Sequence, residues 1–226
     1  MPYLPNLLTR GNGKLGEGIH AWSLPAFETC PGRSGLCSRV CYARSGRFQT
    51  RIMQARLAEN LAASQADNFA ARLTSEVHRR GVHTLRIHVS RDFYDAEYVG
   101  KWAAIARRCP RTTCYAYTRS WRVPTIAPAL AELAGLRNVR LWFSRDAETE
   151  PPSDIPTGVR VAYLQTDRDE LPIGDLVFRI RPLRSQSHPR LPLSPVCPTE
   201  VALPRTSDLH FPGVHACQAA QLSGLR

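Results

Sequence analysis

Cys30, Cys37 and Cys41 stand within twelve residues, separated by six and then three residues. Pro31, Gly32 and Gly35 make the first interval a turning loop, able to fold its thiols towards one point. Cys37 and Cys41 are four apart and share a face if that stretch makes a helical turn. Soft thiolates converging from a Gly/Pro loop are what zinc or a 4Fe-4S cluster requires. The competing reading is three small buried hydrophobes; clustering favours a shared metal centre. Two further thiols, Cys197 and Cys217, lie in a tail with seven prolines from Pro182 onward, and such a tail could return a ligand to the same centre.

The elements around these thiols read as alternating strands and helices. Ile19 to Leu24 forms a first strand stopped by Pro25, so the Cys loop sits at a strand's C-terminal end, where α/β folds usually hold their chemistry. Phe48 to Arg80 is helical and breaks near Ser64, where Ser64 and Asp67 resemble a capping box. Strands follow at 84–90, 114–118, 139–144, 159–164 and 176–181, with helices after Asp95 and around Leu130 and Leu133. Regular alternation predicts parallel β/α units, hence an α/β fold built as a partial or complete parallel barrel. Arg86/His88/Ser90, Arg140/Ser144 and Arg179/Arg181 form one polar face on three strands, which predicts a polar lumen. The expected division is a barrel-like domain over 1–181 and a Pro-rich Cys/His-containing extension over 182–226, packed on it.

Two strands end alike, in Ser90-Arg91-Asp92 and Ser144-Arg145-Asp146, and a third ends in Thr118-Arg119-Ser120-Trp121. Groups just past parallel strands share one rim. Asp92, Asp146, His88 and Arg119 are therefore the catalytic candidates, with Ser90, Tyr117 and Ser120 as cofactor contacts. Asp95 is the better helix cap, which leaves Asp92 without an evident structural duty. Tyr115, Tyr117 and Trp121 could stack on a base.

Composition bounds the rest. The 226 residues fit one domain, and 43% hydrophobic residues suffice for a core. No apolar run is long enough to cross a bilayer and no signal peptide opens the chain, so a reducing cytoplasm is expected and disulfides are not. The net charge of +11, nearly all arginine, points to a polyanion, although the basic residues are scattered. No protein partner is identifiable.

The chain resembles the phage gene product 88 family in Trp22-Ser23-Leu24-Pro25-Ala26, Thr29-Cys30-Pro31-Gly32, Cys41-Tyr42-Ala43, His88-Val89-Ser90 with Asp92-Phe93, Tyr117 to Trp121, and Cys197-Pro198. That resemblance implies glycine where Arg91 stands and a second cysteine near Cys217. More distantly, the chain is similar to radical S-adenosylmethionine enzymes, which carry a three-Cys loop after the first strand of a partial barrel, at a different cysteine spacing. This likeness implies S-adenosylmethionine as a possible cofactor.

Two functions follow as expectations. One is an enzyme acting on a nucleotide or nucleic acid beside a metal or iron–sulfur centre, either radical S-adenosylmethionine-like or exchanging bases as a tRNA-guanine transglycosylase does. The other is a non-catalytic nucleic-acid-binding module with a structural zinc site.

Overall fold

The computed structural model describes residues 6–11, 16, 18–167, 171–180 and 199–202. Eight strands form one sheet in the order of the sequence: β1 (Thr9–Arg10), β2 (Ile19–Ala21), β3 (Thr84–Ile87), β4 (Thr113–Thr118), β5 (Val139–Arg145), β6 (Arg160–Gln165), β7 (Leu176–Arg179) and β8 (Thr199–Ala202). β2 to β7 run parallel, and β1 and β8 are antiparallel edges. The fold is thus a mixed α/β sheet, mostly parallel, each parallel strand lying beside its sequence neighbour. Among the described residues β1 and β8 do not pair, so closure into a barrel is not seen. The strand expected first is the second, because β1 is only two residues long.

Five α-helices accompany the sheet: α1 (Gly35–Arg39), α2 (Arg51–Gln65), α3 (Phe69–Arg80), α4 (Ala96–Arg108) and α5 (Ala127–Ala134). The long helical stretch breaks where expected, but Ser64 is not its cap. Ser64 lies inside α2, where its hydroxyl donates to the Leu61 carbonyl, while Asn68 occupies the α3 N-cap position without a side-chain bond. Gly81 ends α3 at φ +58, the left-handed C-cap that glycine adopts without strain. Asp95 does cap α4, accepting from the Tyr98 N–H at 2.7 Å.

One face of the sheet carries the core. Leu85, Ile87, Cys114, Ala116, Leu141 and Phe143 pack there against Phe69, Leu73, Tyr98, Trp102 and Leu130 from the helices. Strand alternation sends the intervening residues to the other face. That face departs from the expected polar lumen: Trp142, Ala162 and Leu176 form a second apolar cluster with Tyr115, Tyr117 and Phe178. On this face the Arg86 guanidinium lies 5.5 Å from the centre of the Tyr117 ring, while Arg140 is exposed and donates to the Arg137 and Val139 carbonyls.

Candidate functional site

The segment between β2 and α2 holds Cys30, Cys37 and Cys41 as half-buried free thiols, and it is clamped across the C-terminal ends of β4 and β5. Three contacts make the clamp. Gly32 lies against the backbone beyond β4, so close that a Cβ there would stand 2.0 Å from the Arg119 carbonyl oxygen. Ser34 caps α1 through the Cys37 N–H (2.9 Å) and donates its hydroxyl to Asp146 Oδ2 at 2.6 Å. Glu148 accepts from the Leu36 N–H at 2.6 Å and pairs with Arg39.

Asp146 is fully buried and anchors this arrangement. Besides Ser34 it accepts from the Thr149 hydroxyl (2.8 Å) and the Glu148 N–H (3.1 Å), and it forms an ion pair with Arg119 at 2.8 Å. Burial alone would raise its pKa, but the Arg119 charge and these donors outweigh burial and hold the carboxyl below its usual range. Asp146 therefore stays ionised, and the Arg119–Asp146 pair ties the ends of β4 and β5 to the Cys segment.

Asp92 has a structural duty after all. It is buried, with Oδ1 accepting from Thr118 Oγ1 (2.5 Å) and the Phe93 N–H (2.8 Å), and Oδ2 accepting from the Arg119 N–H (2.6 Å). Its own N–H donates to the Thr29 carbonyl, one residue before Cys30. One carboxylate thus joins β3, β4 and the Cys segment. Asn cannot accept on both sides, so Asp92→Asn is expected to lower stability by about 1–3 kcal/mol. Burial raises the Asp92 pKa to about 6. A carboxyl whose folded pKa is raised adds stability that is fully present below its unfolded pKa, near 3.8, and lost as pH rises through about 6. Urea melts of wild type and Asp92→Asn should accordingly show the gap narrowing from pH 4 to pH 7, by at most about 3 kcal/mol.

His88 is not on the rim. β3 ends at Ile87, and His88 takes φ +64, which turns the ring into the helix-side core against Phe93, Tyr98 and Trp102. Its Nε2 lies 2.9 Å from the Tyr98 hydroxyl, which also accepts from Trp22 Nε1. Burial, reinforced by Arg91, depresses its pKa to about 3, so the ring is neutral and holds the core together. Ser120 is likewise engaged, donating to the Phe93 carbonyl at 2.6 Å. Tyr117 belongs to the aromatic face, 5.1 Å from Trp142 and 4.9 Å from Phe178. Trp121 stacks on Phe143 and donates to the Ser144 carbonyl, which uses its ring in packing. Ser90 is buried, its hydroxyl without a partner among the described residues. Cys197 and Cys217 lie outside the described residues.

The rim therefore unites the three thiols with Asp92, Arg119 and Asp146, and leaves out His88 and Tyr117. Burial lifts the Cys30 pKa to about 12, helped by the Asp92 charge and least by Cys37; burial also raises the Cys37 pKa, with Cys41 adding to the rise against the Arg119 charge. Thiolates are costly here unless a cation compensates them, and that chemistry suits a metal. Among the described residues no three His, Cys, Asp or Glu side chains are grouped so as to hold a metal ion. Sequence reasoning missed Gly32, Ser34, Glu148 and Thr149, whose roles come from contacts more than a hundred positions apart for Ser34 and Glu148. It also missed a charge pattern: from Thr29 to Ala58 there are six arginines and no carboxylate. Arg33, Arg39, Arg44, Arg47 and Arg51 are exposed.

A mostly parallel α/β sheet wound in sequence order, with a thiol-bearing segment clamped on its C-terminal rim, defines the structural class. The gene product 88 family matches residues 6–221 of the chain. The chain belongs to that family. It is 27% identical over 171 residues to the Gene 88 protein of Mycobacterium phage L5, covering 69% of this chain and 70% of that one. With the Gene 88 protein of Mycobacterium phage D29 it shares 26% over 171 residues, covering 69% of each. No solved structure matches.

Proposed function

We propose that Cys30, Cys37 and Cys41 hold one metal centre, and that the protein is an enzyme acting on a nucleotide or nucleic acid at the rim beside it. The observation that carries this reading is the clamp. Gly32, Ser34 and Glu148 fix the segment over the strand ends, so three thiols are gathered where parallel α/β folds expose reacting groups. An iron–sulfur cluster and a zinc ion both take thiolate ligands, and the spectrum below separates them. Bound there, a cluster supplies one-electron chemistry. The chain's own residues would enclose it: Asp92, Asp146 and Arg119 hold the segment rigid, and burial limits water.

The winding of the sheet in sequence order supports the partial-barrel reading, and with it the likeness to radical S-adenosylmethionine enzymes. Anaerobic reconstitution followed by metal analysis and an absorption spectrum tests the proposal. A brown protein absorbing in the visible blue indicates iron–sulfur. A colourless protein holding zinc favours either a transglycosylase-like base exchange or the binding module with a structural zinc site, and the run of exposed arginines speaks for the latter.

Nucleic-acid contact is common to the binding module and to one form of the enzyme. Affinity for single-stranded RNA or DNA should fall steeply between 50 and 200 mM salt as counterions are released, by about tenfold or more if a few arginines meet phosphates. Replacing Arg33, Arg44 and Arg47 together by serine should flatten that slope. Fluorescence anisotropy measures both. Absence of binding at low salt would remove nucleic acid as a partner and leave the free nucleotide.

A further inference from the structure

Arg91 breaks two rules at once. It takes φ +99, a backbone conformation that L side chains rarely adopt and glycine adopts freely, and it has no Cβ-free excuse for doing so. Its guanidinium is tucked inward, stacked at 5.8 Å on the ring of Phe48, yet Nε and Nη2 are buried with no hydrogen-bond partner among the described residues. Buried donors without acceptors are rare and unfavourable. One residue earlier, the hydroxyl of Ser90 is also buried and unpartnered, although the residue is only 4% exposed.

The identity of the two orphaned nitrogens is informative. Nε and Nη2 form the side edge of the guanidinium, whose parallel N–H bonds match two oxygens of one carboxylate or phosphate. Arg145 provides the contrast within the molecule. It stands at the equivalent position of the second Ser-Arg-Asp triplet and engages its Nη2 with the Thr149 carbonyl at 3.0 Å. There Nη2 serves the structure and only Nε is without a partner among the described residues; at Arg91 neither nitrogen of the edge is engaged. The guanidinium lies over the ring of Phe48, and the Tyr42 hydroxyl, donating to the Val89 carbonyl, ties down the chain just before it. Cys30 and Cys41 are close enough to act on the Arg91 charge, so the fork lies next to the thiols.

We infer that Arg91, with Ser90 beside it, is the seat for an oxyanion: a small ligand docks its carboxylate or phosphate on the Nε–Nη2 edge, adjoining Cys30 and Cys41. The strained backbone is the means by which a side chain is aimed there at a position where glycine would fit without strain. This seat does not require the thiols to hold a metal, and it goes beyond the polyanion contact made by the exposed arginines.

The test is a titration of the metal-free protein with inorganic phosphate and, separately, with acetate, following arginine Nε–H signals by NMR at constant ionic strength set with chloride. The Arg91 signal is identified by its loss in Arg91→Lys. It should move saturably with phosphate or with acetate, whichever class the seat takes, while the exposed Arg33 and Arg44 drift linearly. Followed on the backbone amide signal of Ser90, which every variant retains, Arg91→Lys should weaken binding at least tenfold, and Arg91→Gly should abolish it while keeping or raising the thermal midpoint. A linear drift shared with Arg33 and Arg44, or saturable binding that survives in Arg91→Gly, overturns the inference. So does a fall in the Arg91→Gly midpoint together with loss of metal from the reconstituted variant, since Arg91 would then be a support for the Cys segment. Failure of the metal reading leaves these signals unaltered, because they are recorded without metal.

Discussion

Gly32→Ala is expected to detach the Cys segment from the rim. The new Cβ would meet the Arg119 carbonyl oxygen at 2.0 Å, its carbon at 2.5 Å and the Ser120 nitrogen at 2.9 Å. All three are backbone atoms of a buried corner, so no side chain can swing aside. Overpacking usually costs about 1–3 kcal/mol and sometimes more; with backbone on both sides the upper end applies. The segment has an escape, however, since it can lift away and lose the Ser34–Asp146 and Leu36–Glu148 bonds. Thermal melts should show a midpoint lower by roughly 5–10 °C, and reconstituted metal should fall in parallel. An unchanged midpoint with full metal would mean that the clamp does not position the thiols.

The second large effect is expected at Arg119. Arg119→Met removes the cation from a carboxylate that is 0% exposed. Breaking a buried pair by deleting one partner typically costs about 3–5 kcal/mol, because the remaining charge is left uncompensated. Ser34, Thr149 and the Glu148 N–H still serve Asp146, so the lower end of that range is expected. Asp146→Asn in the Arg119→Met background should restore part of the loss, as residues in one network do not add. Urea denaturation of the two single variants and the double variant measures the coupling. Strict additivity would show that the pair contributes nothing as a pair.

Much of the fold was legible in the chain, for physical reasons that also explain the failures. Leu85 and Ile87, Cys114 and Ala116, and Leu141 and Phe143 alternate because one face of a strand packs on helices, and that periodicity is local. The cap at Asp95 is local too, and it was read correctly. His88 was misread because alternation was extended one residue too far: the positive φ at His88 reverses its face, and no neighbouring residue signals that reversal. Asp92 was freed from structural duty on the ground that Asp95 caps α4. Its real partners, Thr118 and the Arg119 N–H, are 26 and 27 positions away. The polar lumen failed similarly. Arg86 and Arg140 suggest a polar face, but Tyr115 and Tyr117 on β4 and Trp142 on Arg140's own strand make an aromatic cluster there. The rim was read correctly in outline, since parallel strands end together whatever their partners. The expectation of glycine at position 91 matches the backbone, which adopts a glycine conformation there while bearing arginine.

Whether Cys30, Cys37 and Cys41 share one metal centre is decided by metal bound per chain after anaerobic reconstitution, in wild type and in Cys30→Ala, Cys37→Ala and Cys41→Ala. A stoichiometric centre is expected in wild type and its loss or severe depletion in each variant, with folds retained because none of these side chains forms part of the clamp. Full metal in all three variants, or none in wild type, would contradict a shared centre.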